Sequence, residues 1–147
     1  MTKLLEGKVA LITGGSRGIG EALVRTFVAH GASVAFTYVS AGSAARAEAL
    51  AQSLGGQAKA YQSDAGDYGQ AEQLVAQVSA DMGRIDVLIN NAGITRDTLI
   101  LRMSEQQWDE VMQTNLKSVF NLTKHCLKGM LRSGGAIINM SSVVGVF

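Results

Sequence analysis

The sequence is poor in three features that would each define a class of protein: proline, cysteine and long apolar runs. The chain of 147 residues contains no proline, which argues against Pro-rich linkers and a disordered tail. Its one cysteine, Cys126, cannot form an internal disulfide, so we expect a reducing, cytoplasmic location. No apolar run approaches the roughly 20 residues of a transmembrane helix. Glu6 and Lys8 interrupt the start of the chain, where a signal peptide would need an apolar region.

The sequence also lacks an excess of either sign of charge, because its formal net charge is +1 at pH 7. This balance gives no electrostatic reason to expect a nucleic-acid partner or an anionic membrane partner, and we expect neither. The sequence is rich in apolar residues, which make up 47% of it, and in glycine, with 17 residues. These values are typical of a globular protein with many tight turns. The length fits one domain, residues 1–147.

Short apolar runs alternate with segments of helical periodicity along the chain. The predicted strands are 8–13, 33–38, 58–64, 85–90 and 136–140, and the predicted helices are 19–30, 43–54, 74–82 and 104–131. Because a helix joins each strand to the next, we expect a parallel sheet with helices on both faces. Right-handed crossovers and a reversal after the third strand give the strand order 3-2-1-4-5. The predicted fold class is α/β, a three-layer, doubly wound parallel sheet.

A glycine-rich turn, residues 13–20 with the sequence TGGSRGIG, joins the first predicted strand to the first helix. Gly14 permits a tight turn, Gly18 lets the backbone approach a pyrophosphate, and Gly20 lets the helix pack closely on the strand. The free N–H groups at the start of the helix then face the phosphates. This placement predicts a Rossmann nucleotide-binding domain, with Ser16 and Ile19 among the contacts. The alternative is an ordinary flexible turn between a strand and a helix.

The end of the second predicted strand indicates which nucleotide is bound. Residues 37–43, TYVSAGS, contain no acidic residue to hydrogen-bond a ribose 2′-hydroxyl. Arg17 can pair with a 2′-phosphate, and Ser40 can donate a hydrogen bond to it. The sequence therefore favours NADP(H) over NAD(H). The alternative interpretation of Arg17 is a solvated surface charge.

Four motifs together resemble those of the short-chain dehydrogenase/reductase family. They are the glycine-rich turn at 13–20, NNAG at 90–93, TNL at 114–116 and the serine pair at 141–142. Within that family, the stretches 90–97 and 141–145 resemble the ketoreductases that act on 3-oxoacyl groups carried by acyl carrier protein in fatty acid synthesis. Acetoacetyl-CoA reductases share much of the same pattern. The resemblance implies NADPH-dependent ketone reduction, an acyl-carrier-protein substrate and a homotetramer.

The NNAG motif follows the fourth predicted strand, where the crevice of a doubly wound sheet opens. Ala92 and Gly93 are small enough for a nucleoside to lie against the backbone, and asparagine side chains can tie neighbouring loops together. By resemblance, Asn91, Ala92 and Gly93 contact the cofactor, and Asp64 and Ala65 contact its adenine. The alternative for the asparagines is turn chemistry alone.

The resemblance also implies catalytic roles for two residues. Ser142 matches the serine that hydrogen-bonds the substrate carbonyl, and Asn115 matches an asparagine that supports a water relay. Alternatively, Ser142 only ends a strand and Asn115 is an ordinary helix residue. Apolar residues surround Asn115 in the sequence, so we expect it to be shielded from solvent.

The proton-donating pair of the family, Tyr-x-x-x-Lys, is absent from this sequence. The three tyrosines, Tyr38, Tyr61 and Tyr68, are not followed by a lysine four residues later. We therefore expect a fragment of a longer reductase; the alternative is a non-catalytic NADP(H)-binding protein. Arg96 and Arg102, after NNAG, are candidates to contact an acidic carrier protein, with solvated surface charge as the alternative.

Overall fold

The computed structural model describes residues 2–146, which form a parallel sheet flanked by helices. The strands are β1 (Val9–Ile12), β2 (Ser33–Tyr38), β3 (Ala58–Gln62), β4 (Val87–Asn90) and β5 (Ala136–Asn139). The helices are α1 (Gly18–Ala29), α2 (Ala44–Ser53), α3 (Tyr68–Met82), α4 (Glu105–Met112) and α5 (Ser118–Ser133). The five-stranded sheet has the order β3-β2-β1-β4-β5, and every pairing is parallel. The predicted doubly wound α/β fold and its strand order are confirmed.

Apolar residues cover both faces of the sheet because successive side chains of a strand point to opposite faces. On one face, Ile12 and Phe36 pack against α1 and α2, where Val24 and Leu50 are buried. On the other face, Leu11 and Leu88 pack against α3 and α5. These two helices contribute the buried residues Val78, Leu122 and Cys126. The first strand is buried along its whole length, as expected for the centre of a parallel sheet.

The long helix predicted from residue 104 to about 131 is interrupted by one wide turn. Ser104 caps α4 through a capping box with Gln107, as the sequence predicted. The chain then makes a π-helical turn over Gln113–Lys117 before α5 begins. Within it, the Gln113 side chain donates to the Gly66 carbonyl at 3.1 Å. The hydrophobic period cannot reveal such a turn, because the segment stays helical on both sides of it.

A buried carboxylate fastens the amino-terminal edge of the sheet. The N–H of Val9 donates to Asp86 Oδ2 at 2.8 Å, and the guanidinium of Arg84 pairs with Asp86 Oδ1. Burial opposes ionisation of Asp86, but these two partners outweigh it and hold the pKa of that carboxyl below its usual range. The network ties β1 to the turn before β4.

The outer surface of α4, the π-helical turn, α5 and β5 is apolar and open to solvent. Its exposed members are Met112, Leu116, Phe120, Leu127, Leu131 and Ile138. The fifth strand lies at the edge of the sheet and is mostly exposed, unlike the central strands. Among residues 2–146, no helix combines the length and the hydrophobicity that crossing a membrane requires.

Candidate functional site

The candidate site lies at the carboxyl ends of β1, β2 and β4, where the glycine-rich turn and NNAG meet. The strand order reverses at β1, with β2 on one side and β4 on the other. The loops that follow β1 and β4 therefore diverge, and a crevice opens between them. Two adjoining clefts occupy this edge. They share part of one wall, which contains Arg17, Ile19 and Asn91–Gly93.

The glycine-rich turn has no room for side chains at three of its glycines, Gly14, Gly15 and Gly20. Gly14 has a φ of +67°, and a Cβ placed there would lie 3.1 Å from the Cα of Ala92. A Cβ on Gly20 would collide with the carbonyl oxygen of Gly14 and lie 2.8 Å from Asn91 Nδ2. The turn, α1 and NNAG therefore pack at a distance that only glycine allows.

The first turn of α1 presents backbone N–H groups without a side-chain cap. Arg17 is the N-cap residue, and its side chain makes no capping hydrogen bond. Gly18 is the first residue of the helix, followed by Ile19, whose side chain is exposed. Uncapped N–H groups at the positive end of a helix are a general binding site for phosphate.

Two buried threonines hold the turn in position. Thr13 Oγ1 accepts hydrogen bonds from the N–H groups of Asn91 and Ala92, at 3.1 and 3.0 Å. Thr37 Oγ1 accepts one from the N–H of Gly14 at 3.0 Å. Asn91 Nδ2 donates to the carbonyls of Thr13 and Gly14, both at 3.1 Å, so its side chain joins two loops as the sequence predicted.

The first cleft has a volume of about 550 Å³, within the range of small-molecule sites. It brings together ten of the residues that the sequence assigned to the cofactor. They are Gly14, Ser16, Arg17, Gly18, Ile19, Gly20, Ser40, Asn91, Ala92 and Gly93. Its wall contains Arg17 and the hydroxyls of Ser40 and Ser43, 2.9 Å apart, but no carboxylate from residues 2–146. This composition suits an anionic group.

The second cleft, of about 730 Å³, brings Asn115 and Ser142 together beside NNAG. Ser142 Oγ accepts a hydrogen bond from the N–H of Val144 at 3.2 Å, so its own proton is free to be donated. Asn90 lines the same cleft and is 5% exposed. Its amide donates to Asn139 Oδ1 at 2.9 Å, which joins β4 to β5 just before the serine pair.

The prediction that Asn115 is shielded from solvent is wrong. Asn115 is exposed, and so are its apolar neighbours Met112 and Leu116, which face outward rather than into the core. Its side chain nevertheless has fixed partners. Asn115 Oδ1 accepts from the N–H of Ile94 at 2.8 Å, and its Nδ2 donates to the Ile94 carbonyl at 2.9 Å. The π-helical turn therefore presents Asn115 to the loop after β4.

Asp64 and Ala65 do not line either cleft. Asp64 Oδ1 accepts from the N–H of Gly66, and its side chain borders a separate depression beyond Val39. Ala65 is buried, and its carbonyl accepts from Asn121 Nδ2 at 2.9 Å. Their adenine contacts remain predictions that the geometry of the clefts does not support.

Sequence reasoning missed several residues at the site. Thr13 and Thr37 lie at the ends of strands that the sequence did predict. Their place in the site could therefore have been predicted from the strand positions. Tyr38, Ser43 and Thr114 also line the first cleft. Arg46 of α2 contacts the glycine-rich turn, and no local sequence pattern predicts this contact.

The chain belongs to the short chain dehydrogenase family, because the family model of that description matches residues 8–147. The match includes the glycine-rich turn, NNAG and the serine pair.

Relatives within the family include 3-oxoacyl-[acyl-carrier-protein] reductases named FabG. The chain is 42% identical to the Escherichia coli protein over 141 residues, which cover 95% of this chain and 57% of that protein. It is 46% identical to the Staphylococcus aureus protein over 142 residues, covering 94% of this chain and 57% of that one. The chain thus spans little more than half the length of these curated relatives.

Two solved structures share the fold. One is the crystal structure of a blue fluorescent protein from a metagenomic library in complex with NADPH. It has a TM-score of 0.89 and 40% identity, and the match covers 97% of this chain and 58% of that one. The other is a mutant of a Serratia marcescens short-chain dehydrogenase/reductase, with a TM-score of 0.88 and 37% identity, covering 95% of this chain and 57% of that one.

Proposed function

We propose that this chain is the NADP(H)-binding part of a reductase that converts 3-oxoacyl-[acyl-carrier-protein] to 3-hydroxyacyl-[acyl-carrier-protein] in fatty acid synthesis. The observation that carries the proposal is the first cleft. It combines a glycine-rich turn, an uncapped helix N-terminus and Arg17, and residues 2–146 place no carboxylate in its wall. The names of the relatives and the NADPH bound to one structural neighbour support the same interpretation.

The residues of the first cleft fit a dinucleotide phosphate. The close packing at Gly14 and Gly20 leaves backbone, rather than side chains, facing the cleft. The N–H groups at the start of α1 would hold the pyrophosphate, and Arg17 and Ser40 would hold the 2′-phosphate. Ala92 and Gly93 would lie against the nucleoside.

The second cleft would bind the ketone. Bound NADPH would supply the hydride. Ser142 would donate its free proton to the substrate carbonyl oxygen in a hydrogen bond and fix the orientation of that carbonyl. Asn115 would order the loop at Ile94 and support proton transfer through water. We assign the proton donor to the part of the longer relatives that this chain does not span.

The partner and assembly are part of the same proposal. An acyl carrier protein would present the substrate, and the whole protein would be a cytoplasmic homotetramer. Arg96 already pairs with Glu110, with 2.8 Å between its Nε and Oε2. Arg102 is exposed after NNAG and is therefore the better candidate to contact an acidic carrier.

Removing the Arg17 guanidinium tests the cofactor assignment. Arg17→Gln should weaken NADP⁺ binding by about tenfold, because a charge-assisted contact to phosphate is lost, and change NAD⁺ binding by less than about twofold. Titration calorimetry on the chain measures both affinities. Arg132→Gln, at the far end of α5, is the matched control. Tighter binding of NAD⁺ than of NADP⁺ by the unsubstituted chain would contradict the assignment.

The substrate assignment needs rates of NADPH oxidation by the whole protein. Side-by-side assays should show faster reduction of a 3-oxoacyl group on acyl carrier protein than of the same group on CoA. Equal or reversed rates would contradict the carrier-protein assignment. Binding of NADP⁺ without reduction of either ketone would contradict the reductase assignment and leave the nucleotide site standing.

A further inference from the structure

Arg46 lies over the glycine-rich turn although it belongs to α2, thirty positions later in the sequence than Ser16. Its Nε donates to the Ser16 carbonyl at 3.0 Å, and its Nη2 donates to Glu21 Oε2 at 3.3 Å. Ser16 is the residue immediately before Arg17. Ser16 and Arg17 both line the first cleft, so Arg46 bonds directly to a residue of the cleft wall beside Arg17.

The charges around Arg46 do not cancel. Glu21 is shared, because its Oε1 also pairs with Arg25 at 2.9 Å. One carboxylate thus faces two guanidinium groups, and Arg17 adds a third cation that has no hydrogen-bonded acid among residues 2–146. Glu21 orients Arg46 without neutralising this edge of the cleft.

The neighbouring wall supplies hydroxyl donors. Ser43 lines the first cleft and is the residue immediately before α2, three positions before Arg46. Its hydroxyl is 2.9 Å from that of Ser40. Arg17, Ser40 and Ser43 line this part of the cleft, and Arg46 bonds to Ser16 in the same wall. A dianionic phosphate matches that set of donors.

We propose that Arg46 is a specificity-determining residue, which together with Arg17 selects the 2′-phosphate of NADP(H) and is held in place by Glu21. The proposal rests on the proposed nucleotide function of the first cleft and adds a second cation to it. Nη1 of Arg46 has no hydrogen-bond partner within residues 2–146 and is the donor available to the phosphate. A purely structural role, pinning the turn through the Ser16 carbonyl, would affect both nucleotides equally.

The test compares NADP⁺ and NAD⁺ affinities of four chains by titration calorimetry. Arg46→Gln should weaken NADP⁺ binding by about tenfold and NAD⁺ binding by less than about twofold. Arg46→Lys keeps the charge but loses the fork of donors, so it should retain part of the affinity for NADP⁺. Arg25→Gln is the matched control, since Arg25 shares Glu21 but does not contact the turn. It should leave both affinities unchanged.

Two results would overturn the inference. An equal loss of NADP⁺ and NAD⁺ affinity in Arg46→Gln, with circular dichroism unchanged, would assign Arg46 to the turn's structure alone. No loss of either affinity would remove Arg46 from the site. If the unsubstituted chain itself fails to prefer NADP⁺, the proposed cofactor is wrong as well, and that result is visible before any variant is made.

Discussion

At the residue scale, contacts between single atoms determine the shape of the glycine-rich turn. Gly20 faces the carbonyl of Gly14, and the Asn91 side chain lies beside Gly20 and donates to that carbonyl. The hydroxyl of Thr13 completes the arrangement by accepting two N–H groups. Because these groups are closely packed and mutually bonded, one added methyl group would displace several of them together.

Gly20→Ala should destabilise the chain by about 1–3 kcal/mol and abolish nucleotide binding, because the new Cβ would collide with the Gly14 carbonyl. Gly129→Ala is the control. Gly129 lies within α5, and a Cβ added to it would meet no atom within 4 Å, so that change should raise stability by up to about 1 kcal/mol. Urea denaturation followed by circular dichroism measures both effects. Equal midpoints for the two variants would contradict the packing argument.

The elements are joined by polar side chains at both ends of the sheet. At the carboxyl end, the π-helical turn presents Asn115 to Ile94, and Asn90 joins β4 to β5. At the amino end, Asp86 holds the start of β1 and the guanidinium of Arg84. The first set shapes the candidate site, whereas the second set lines neither of its clefts.

Asp86→Asn should make the free energy of unfolding of the chain less dependent on pH in the acidic range. The pKa of Asp86 is lower when folded than its ordinary value of 3.8, so its stabilisation is present above that value and is lost as the pH falls through the folded pKa. The variant should be less stable by about 1–3 kcal/mol near pH 7, with the difference shrinking below about pH 4. Urea denaturation across this pH range measures it.

The control for that measurement is Asp109→Asn. Asp109 is exposed on α4 and makes no hydrogen bond through its carboxylate within residues 2–146. Its substitution should leave the pH profile of stability close to that of the unsubstituted chain. A difference for Asp86→Asn that stays constant from neutral to acidic pH would contradict a role for the ionised carboxylate.

At the scale of the whole molecule, one side of the sheet differs from the other. The face covered by α1 and α2 is packed, whereas the surface beyond α5 and β5 exposes large apolar side chains. Leu116 is 59% exposed, Phe120 55% and Leu131 76%. A continuous apolar surface of this kind favours association, and so does an unpaired strand edge.

The 147-residue chain should therefore self-associate as its concentration rises. Replacing Leu116 and Phe120 together by glutamate should shift it toward the monomer, because like charges would then meet at the contact. Sedimentation velocity at a series of concentrations measures this. Leu4→Glu, on an exposed residue at the amino-terminal edge, is the control and should leave association unchanged. Identical sedimentation of all three chains would contradict the prediction.

Local pattern was enough to predict the strands, their order and most of the first cleft, because strand and helix periods and the glycine spacing are local signals. It was not enough for Arg46, whose contact with Ser16 depends on how α2 packs beside α1. The exposure of Asn115 was missed because apolar neighbours usually indicate a core, and here they lie on an uncovered face. Asp64 was assigned by resemblance, and the path of the chain after β3 places its side chain in a different depression.

Cys126 is 3% exposed in the layer between α5 and the sheet, and burial raises the pKa of its thiol to about 12. Only the thiolate reacts readily with alkylating reagents. The folded chain therefore protects this sulfur in two ways: it excludes the reagent, and it keeps the thiol protonated. As the chain has no other cysteine, each labelled molecule records one opening of that layer. The thiol thus makes the lifetime of the closed state measurable by mass spectrometry, without any introduced probe.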